Sequence, residues 1–228
     1  LPGNRVRLLH PLAEIHSDFN MHESSKSIFH KIRDSRYATR YIVGDGIDIG
    51  AGPDPLAQYH EFFPLMRSCR SWDLPDGDAQ LMATIRDNTF HFVHSAHCLE
   101  HLRDPKNALQ NWLRILKPGG HLICIIPDED LYEQGVFPSM FNPDHKHTFS
   151  IFKKSSWSKQ SISLLGLLAD LDQDIQIKKI ELLDATYRYG LKRRSNQERI
   201  DQTETPIGEC AIEFIIMKLT QPLDSAPT

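Results

Sequence analysis

Ala108, Leu109, Trp112, Ile115 and Leu116 recur at helical spacing, and a few residues further on the pattern changes to an unbroken apolar run from Leu122 to Ile126. The first pattern predicts an amphipathic helix, and the second a strand covered on both faces, as central parallel strands are. Asp104-Pro105 supplies the helix start, with Asp as N-cap and Pro at the first helical position. Lys117-Pro118-Gly119-Gly120 ends the helix and turns the chain into a strand over His121 to Ile126. Upstream, Phe90 to Ser95 alternates too imperfectly for a one-faced strand and suits another central one. The result is a strand, helix, strand unit.

Weaker signals flank this unit. Residues 1 to 23 lack clear periodicity, whereas Ser24 to Tyr41 is helix-compatible, with Ile28, Phe29, Ile32 and Tyr37 available for an inner face. A strand over about Gly46 to Ile49 runs into a glycine turn, an aromatic-rich segment from Tyr59 to Met66 is expected to pack on the sheet, and a weakly apolar strand ends near Asp73. Pro127 to Ser150 is rich in Gly, Pro and aromatics and too long for a plain connector, which makes it a candidate lid. Ser161 to Leu171 reads as a helix. Ile175 to Leu183 and Cys210 to Leu219 read as strands joined by the polar, basic stretch Tyr187 to Glu209, and residues 221 to 228 read as a disordered tail. We therefore expect one domain over 1–228, with a lead-in and helix at 1–41 and a lid-like insertion at 127–160.

A chain of 228 residues with 40% hydrophobic content can bury one substantial core. Its net charge of -4 gives no general attraction to phosphate backbones, so nucleic acid is disfavoured as a partner and small or neutral substrates are favoured. The apolar runs fall far below the ~20 residues that span a bilayer. Cys69, Cys98, Cys124 and Cys210 are widely spaced and no pair has zinc-site spacing, which fits a reducing, cytoplasmic setting.

The stretch Gly46-Ile47-Asp48-Ile49-Gly50-Ala51-Gly52-Pro53-Asp54, followed by Asp73, Asp78 and the segment from Phe92 to Gly120, resembles the class I S-adenosylmethionine (AdoMet)-dependent methyltransferases over roughly residues 40 to 127. The resemblance implies a Rossmann-like, doubly wound α/β sheet of about seven strands, mostly parallel, closed by an antiparallel C-terminal hairpin. It also implies roles along AdoMet. Gly50, Ala51 and Gly52 would let the backbone approach the methionyl and ribose parts, while Asp48 would orient the turn and attract the ammonium. Asp73 would accept from the ribose hydroxyls, Asp78 from the adenine amino group beside the Ala79 N–H, and Ser95 and Ala96 would add backbone contacts. A dinucleotide is disfavoured, because the third glycine of G-x-G-x-x-G is missing.

Two polar clusters follow. In His97-Cys98-Leu99-Glu100-His101 the polar members share one face of a helix. The string resembles the E-x-x-E-H of ubiquinone-pathway O-methyltransferases and small-RNA 2′-O-methyltransferases, which implies a divalent metal on His97, Glu100 and His101 together with a later His. His97 replaces the first Glu of that pattern, and a metal-free arrangement is favoured. Asp144-His145-Lys146-His147-Thr148-Phe149-Ser150 resembles a D-H-x-H-x-F-S element of small-molecule methyltransferases. His145, His147 and His97 are the candidate catalytic groups, since imidazole titrates near neutrality, and one of His145 and His147 is expected to do no more than tie the lid to the segment 97–103. The expected activity is O-methylation of a small-molecule or glycan hydroxyl. The alternatives are an RNA 2′-O-methyltransferase using Arg188, Lys192, Arg193, Arg194 and Arg199, a run read as a solvated loop, and a non-catalytic binding subunit.

Overall fold

The computed structural model describes residues 23–191 and 199–220. Lys192, Arg193, Arg194 and the expected tail lie outside the described residues. Six strands form the main sheet: β1 (Gly44–Ile49), β2 (Met66–Trp72), β3 (Phe90–Ala96), β4 (Leu116–Pro127), β7 (Ile175–Leu183) and β8 (Ala211–Lys218), in the order β2-β1-β3-β4-β8-β7. The pairings β1 with β2 and β3, and β3 with β4, are parallel, and β8 is antiparallel to both β4 and β7. This is the expected Rossmann-like sheet with its C-terminal hairpin, in six strands rather than seven. Residues 74–89 are spent on turns instead of a strand. Arg114 donates to the carbonyls of Met82 and Ile85, and Trp112 Nε1 to that of Ala79, so these turns are held by the following helix.

That helix, α2 (Pro105–Ile115), begins as expected, with the Asp104 side chain accepting from Asn107 N at 3.0 Å. Its stripe of Ala108, Leu109, Trp112, Leu113 and Ile115 is fully buried against Ile47, Ile49, Val93, Leu122, Cys124 and Phe214. At roughly 1.5–3 kcal/mol for each large side chain buried, apolar area alone holds α2 to the sheet.

The opposite face is built differently. Helix α1 (Glu23–Lys31) is shorter than expected, and a π turn over Tyr37–Tyr41 follows it. Of the apolar residues expected to face inward, Ile28 and Tyr37 are buried but Phe29 and Ile32 are exposed. The buried residues of α1 are instead Ser24, Lys26, Ser27, Ile28 and Lys31, of which Ser24, Ser27, Ile28 and Lys31 form one helical stripe with a single aliphatic member. Charge explains the reversal. Glu213 of β8 is fully buried on this face, where it meets His30 Nε2 at 3.1 Å, Lys179 Nζ at 2.8 Å, Lys31 Nζ at 3.7 Å and the Tyr37 hydroxyl. His30 Nδ1 reaches Glu209 at 3.1 Å.

The expected helix over Ser161 to Leu171 is split into β6 (Ser161–Ser163) and α3 (Leu164–Ala169). β6 pairs in parallel with β5 (Thr148–Ser150), so the expected lid carries a small sheet of its own. The segment after the glycine turn forms a 3-10 turn over Leu56–Phe62 rather than a full helix, as Pro53 and Pro55 at its start would lead one to expect.

Burial alone would raise the Glu213 carboxyl, but the His30 hydrogen bond and the Lys31 and Lys179 charges outweigh it and hold it far below the usual value of 4.5. Glu213→Gln strands the Lys31 ammonium and should cost about 3–5 kcal/mol, the range for breaking a buried pair. Urea unfolding of the variant measures this, and near-wild-type stability would mean the cluster does not carry α1. Because the folded carboxyl is depressed, its contribution is present above about pH 4.5 and disappears as pH falls below it.

Candidate functional site

The C-terminal ends of β1, β2 and β3 meet at one edge of the sheet, where the crevice of an open α/β fold lies. The glycine turn is pinned there, since Gly50 N and Ala51 N both approach the Trp72 carbonyl, at 2.9 and 3.3 Å. Gly50 has φ +75° and Gly52 φ +55°, conformations that favour glycine. The two differ in what surrounds them. A Cβ on Gly50 would lie 2.6 Å from Cys98 Cβ, so glycine lets the segment after β3 close against the turn. A Cβ on Gly52 would meet no atom within 4 Å. Gly52 faces open space.

That space is a cleft of about 650 Å³ walled by Gly50, Gly52, Asp73, Gly77, Asp78, Ala79, His97, Cys98, His101, Leu102, Arg103, Asp144 and Lys146. Five of the residues expected to bind the cofactor therefore line one cavity. Asp73 accepts from Gly52 N at 3.1 Å and Leu74 N at 2.8 Å, so it braces the turn as well as facing the cleft. Asp78 accepts from Gln80 N at 2.8 Å and Arg103 Nη2 at 2.9 Å; slight burial opposes ionisation, but these bonds hold its carboxyl below the usual range.

The other cofactor candidates lie elsewhere. Asp48 is buried, with Oδ2 accepting from Leu56 N at 2.7 Å and Oδ1 2.7 Å from His94 Nδ1. These contacts tie the turn to the returning chain and to β3, and Asp48 also lines the smaller hollow described next. Ser95 is fully buried and donates to the Ile49 carbonyl at 2.9 Å. Ala51 and Ala96 line a second, smaller hollow of about 150 Å³, which adjoins the cleft at Gly50, Gly52 and His97.

At the far wall of the cleft the two histidine clusters meet. His97, at φ +52°, approaches Glu100 Oε1 with Nδ1 at 3.4 Å and Glu23 Oε2 with Nε2 at 3.3 Å. Burial opposes its protonation, but the Glu23 and Glu100 charges prevail and raise its pKa to about 9. Glu100 is fully buried, and neither of its carboxylate oxygens has a hydrogen-bond partner. The Nε2 atoms of His101 and His145 both stand 3.9 Å from Glu100 Oε1. Their Nδ1 atoms are taken, His101 by Asp144 at 3.0 Å and His145 by Glu133 at 2.7 Å. Glu100, His101 and His145 thus form the one grouping among the described residues whose ligand atoms converge as a metal site would require. His97 stands beside that trio. His147 does not reach it, and its Nε2 lies 3.1 Å from the Leu102 carbonyl, tying the lid to the segment after the 3-10 turn at Leu99–His101.

Sequence reasoning missed Glu23, Glu133 and Trp112. Glu23 lies far along the chain from His97, Glu133 sits twelve residues before His145 in a loop without periodicity, and Trp112 reads only as part of an apolar stripe. No local signal marks any of them.

The sequence pattern of the methyltransferase domain family matches residues 36–161, more than half of the chain. An uncharacterized methyltransferase of Schizosaccharomyces pombe is 40% identical over 58 residues, which cover 25% of this chain and 20% of that protein. A Bacillus halodurans protein described as a methyltransferase superposes with TM-score 0.51 at 16% identity, over 85% of this chain and all of that one. An AdoMet-dependent methyltransferase of Mesorhizobium loti gives 0.50 at 13% identity, over 81% of this chain and 98% of its own. The chain belongs to the methyltransferase domain family.

The two glycines should differ on substitution. Gly50→Ala combines a left-handed conformation, at about 1–2 kcal/mol, with overpacking against Cys98, at about 1–3 kcal/mol more. Gly52→Ala carries only the first cost. Thermal unfolding of both variants should therefore place Gly50→Ala well below Gly52→Ala, and the reverse order would mean that the turn faces the other way.

Proposed function

We propose that the chain is an AdoMet-dependent O-methyltransferase whose acceptor is a hydroxyl of an uncharged small molecule or sugar. AdoMet would lie along the cleft, with adenine toward Asp78 and Ala79, the ribose at Asp73, and the sulfonium directed toward His97 and His101. The observation that carries the reading is the convergence of Glu100, His101 and His145, of which His101 lines the cleft. An acceptor hydroxyl held there has a group ready to take its proton. On this reading the hydroxyl oxygen would attack the methyl carbon as the carbon–sulfur bond breaks, S-adenosylhomocysteine would leave, and the hydroxyl proton would pass to an imidazole. The sulfonium is already activated, so alignment supplies most of the remaining rate. The cations at the mouth are already paired, Arg103 with Asp78 at 2.9 Å and Lys146 with Asp144 at 3.7 Å, and this favours a neutral acceptor over a phosphorylated one.

A divalent cation on Glu100, His101 and His145 has its own support. Each histidine has its Nδ1 beside a carboxylate, and both Nε2 atoms stand 3.9 Å from Glu100 Oε1, too far for hydrogen bonds and at the spacing of donors around one ion. Imidazoles oriented by carboxylates are the usual outer shell of a metal site. The mixed donor set suits Zn²⁺, Mn²⁺ or Fe²⁺ better than Mg²⁺. Such an ion would polarise the acceptor hydroxyl and lower its pKa.

Offering the protein AdoMet with a library of hydroxylated acceptors should yield products heavier by about 14 Da, and no methylated product from any hydroxyl would defeat the assignment. In calorimetric titration, Asp73→Ala should weaken AdoMet binding by about 1.5–3 kcal/mol, the range for hydrogen bonds to charged groups, and Gly52→Val should prevent it by filling the cleft. If an ion holds the trio, a chelator should abolish turnover and Mn²⁺ or Zn²⁺ restore it, with the ion rather than an imidazole activating the hydroxyl. Turnover untouched by the chelator but depressed by His145→Ala would leave the imidazole as a metal-free base.

A further inference from the structure

The small hollow beside the cleft has no role in the reading above. It is lined by Glu23, Ser24, Asp48, Asp54, Ala96, His97 and the inner side of the glycine turn, and it continues the cleft past Gly50 and Gly52 on the side away from Asp78. A ligand with adenine at Asp78 and its chain passing Gly50 would end there. AdoMet ends in an amino acid, which needs an anion for its ammonium and a donor for its carboxylate.

Two acids of the turn are already committed. Asp48 is spent on Leu56 N and His94, and Asp54 on Ser25 N at 2.7 Å and the Tyr59 hydroxyl at 2.5 Å. Glu23 is less so. Its Oε1 pairs with Lys26 at 3.0 Å, while Oε2 lies 3.3 Å from His97 Nε2, a nitrogen that is itself buried without a hydrogen-bond partner. A carboxylate and an imidazole nitrogen thus stand side by side at 3.3 Å in the lining of the hollow.

We propose that Glu23, the first residue of α1, receives the ammonium of AdoMet while His97 Nε2–H donates to its carboxylate, so that α1 closes the methionyl end of the site. The inference rests on the placement of AdoMet described above. It also gives the polar stripe of α1 a purpose. Lys31 and His30 fix the far end of the helix to Glu213 and Glu209, and the Asp54 carboxylate holds its first turn by Ser25 N, so Glu23 is carried to His97 by a helix clamped at both ends. Glu23 would then set specificity for a nucleoside that bears an amino acid over one that does not.

The test compares S-adenosylhomocysteine with 5′-methylthioadenosine, which keeps the adenosine and sulfur but lacks the amino acid, by calorimetric titration of the wild-type protein and of Glu23→Gln. The expected result is that Glu23→Gln weakens S-adenosylhomocysteine binding about tenfold or more and leaves 5′-methylthioadenosine binding unchanged, which also shows that the variant is folded. Equal affinities of wild type and variant for both ligands, or an equal loss for both, would overturn the role of Glu23 while the cofactor assignment stands. Binding of neither ligand by the wild-type protein would overturn the cofactor assignment and this inference with it.

Discussion

Asp48 is the residue on which the site depends. It stands at the end of β1, buried, with one oxygen on the Leu56 N–H and the other against His94 of β3. The first contact brings the chain back after the glycine turn, and the second ties that return to the neighbouring strand. A buried carboxylate is costly unless hydrogen-bonded, so the arrangement holds as a whole or not at all. With the turn fixed in this way, Gly50 can pack on Cys98 and Gly52 is left facing the cleft.

The two faces of the sheet are held by different forces, and the difference matters for function. On one face, α2 buries an apolar stripe whose contribution grows with area and needs no particular partner. On the other, α1 has one aliphatic side chain and a set of charges that must meet Glu213 and Glu209 in register. Directional contacts of this kind fix a helix along its axis better than an apolar stripe does. That precision brings Glu23 to His97, and the apolar face meanwhile holds the Asp78 and Ala79 turn through Trp112 and Arg114. Each end of the cleft is thereby set by a helix on a different side of the sheet.

The expected lid is more constrained than its composition suggests. Lys146 N donates to the Glu100 carbonyl at 2.9 Å, His147 Nε2 lies 3.1 Å from the Leu102 carbonyl, and β5 pairs with β6. These backbone ties hold His145 where its Nε2 faces Glu100, and Glu133, twelve residues earlier, sets its tautomer. The segment from Pro127 to Ser150 therefore serves to deliver one oriented imidazole.

The sequence by itself determined what local physics governs. The periodicity of α2, its Asp104-Pro105 cap, the unbroken apolar run of β4 and the glycine turn after β1 are decided by neighbours along the chain, and all were legible. So was the order of Gly50, Gly52, Asp73, Asp78 and Ala79, because the sheet brings the ends of consecutive strands to one edge. Tertiary structure alone decided the inward face of α1, where Phe29 and Ile32 lost to Ser24, Ser27 and Lys31, because the field of Glu213 arises from a strand nearly two hundred residues away. It alone fixed the turns over residues 74–89, where Trp112 and Arg114 hold the carbonyls of Ala79, Met82 and Ile85. It alone chose His145 over His147 to face Glu100. The two sit in one short polar run with the same side chain, and only the distant backbone and Glu133 that each meets tell them apart.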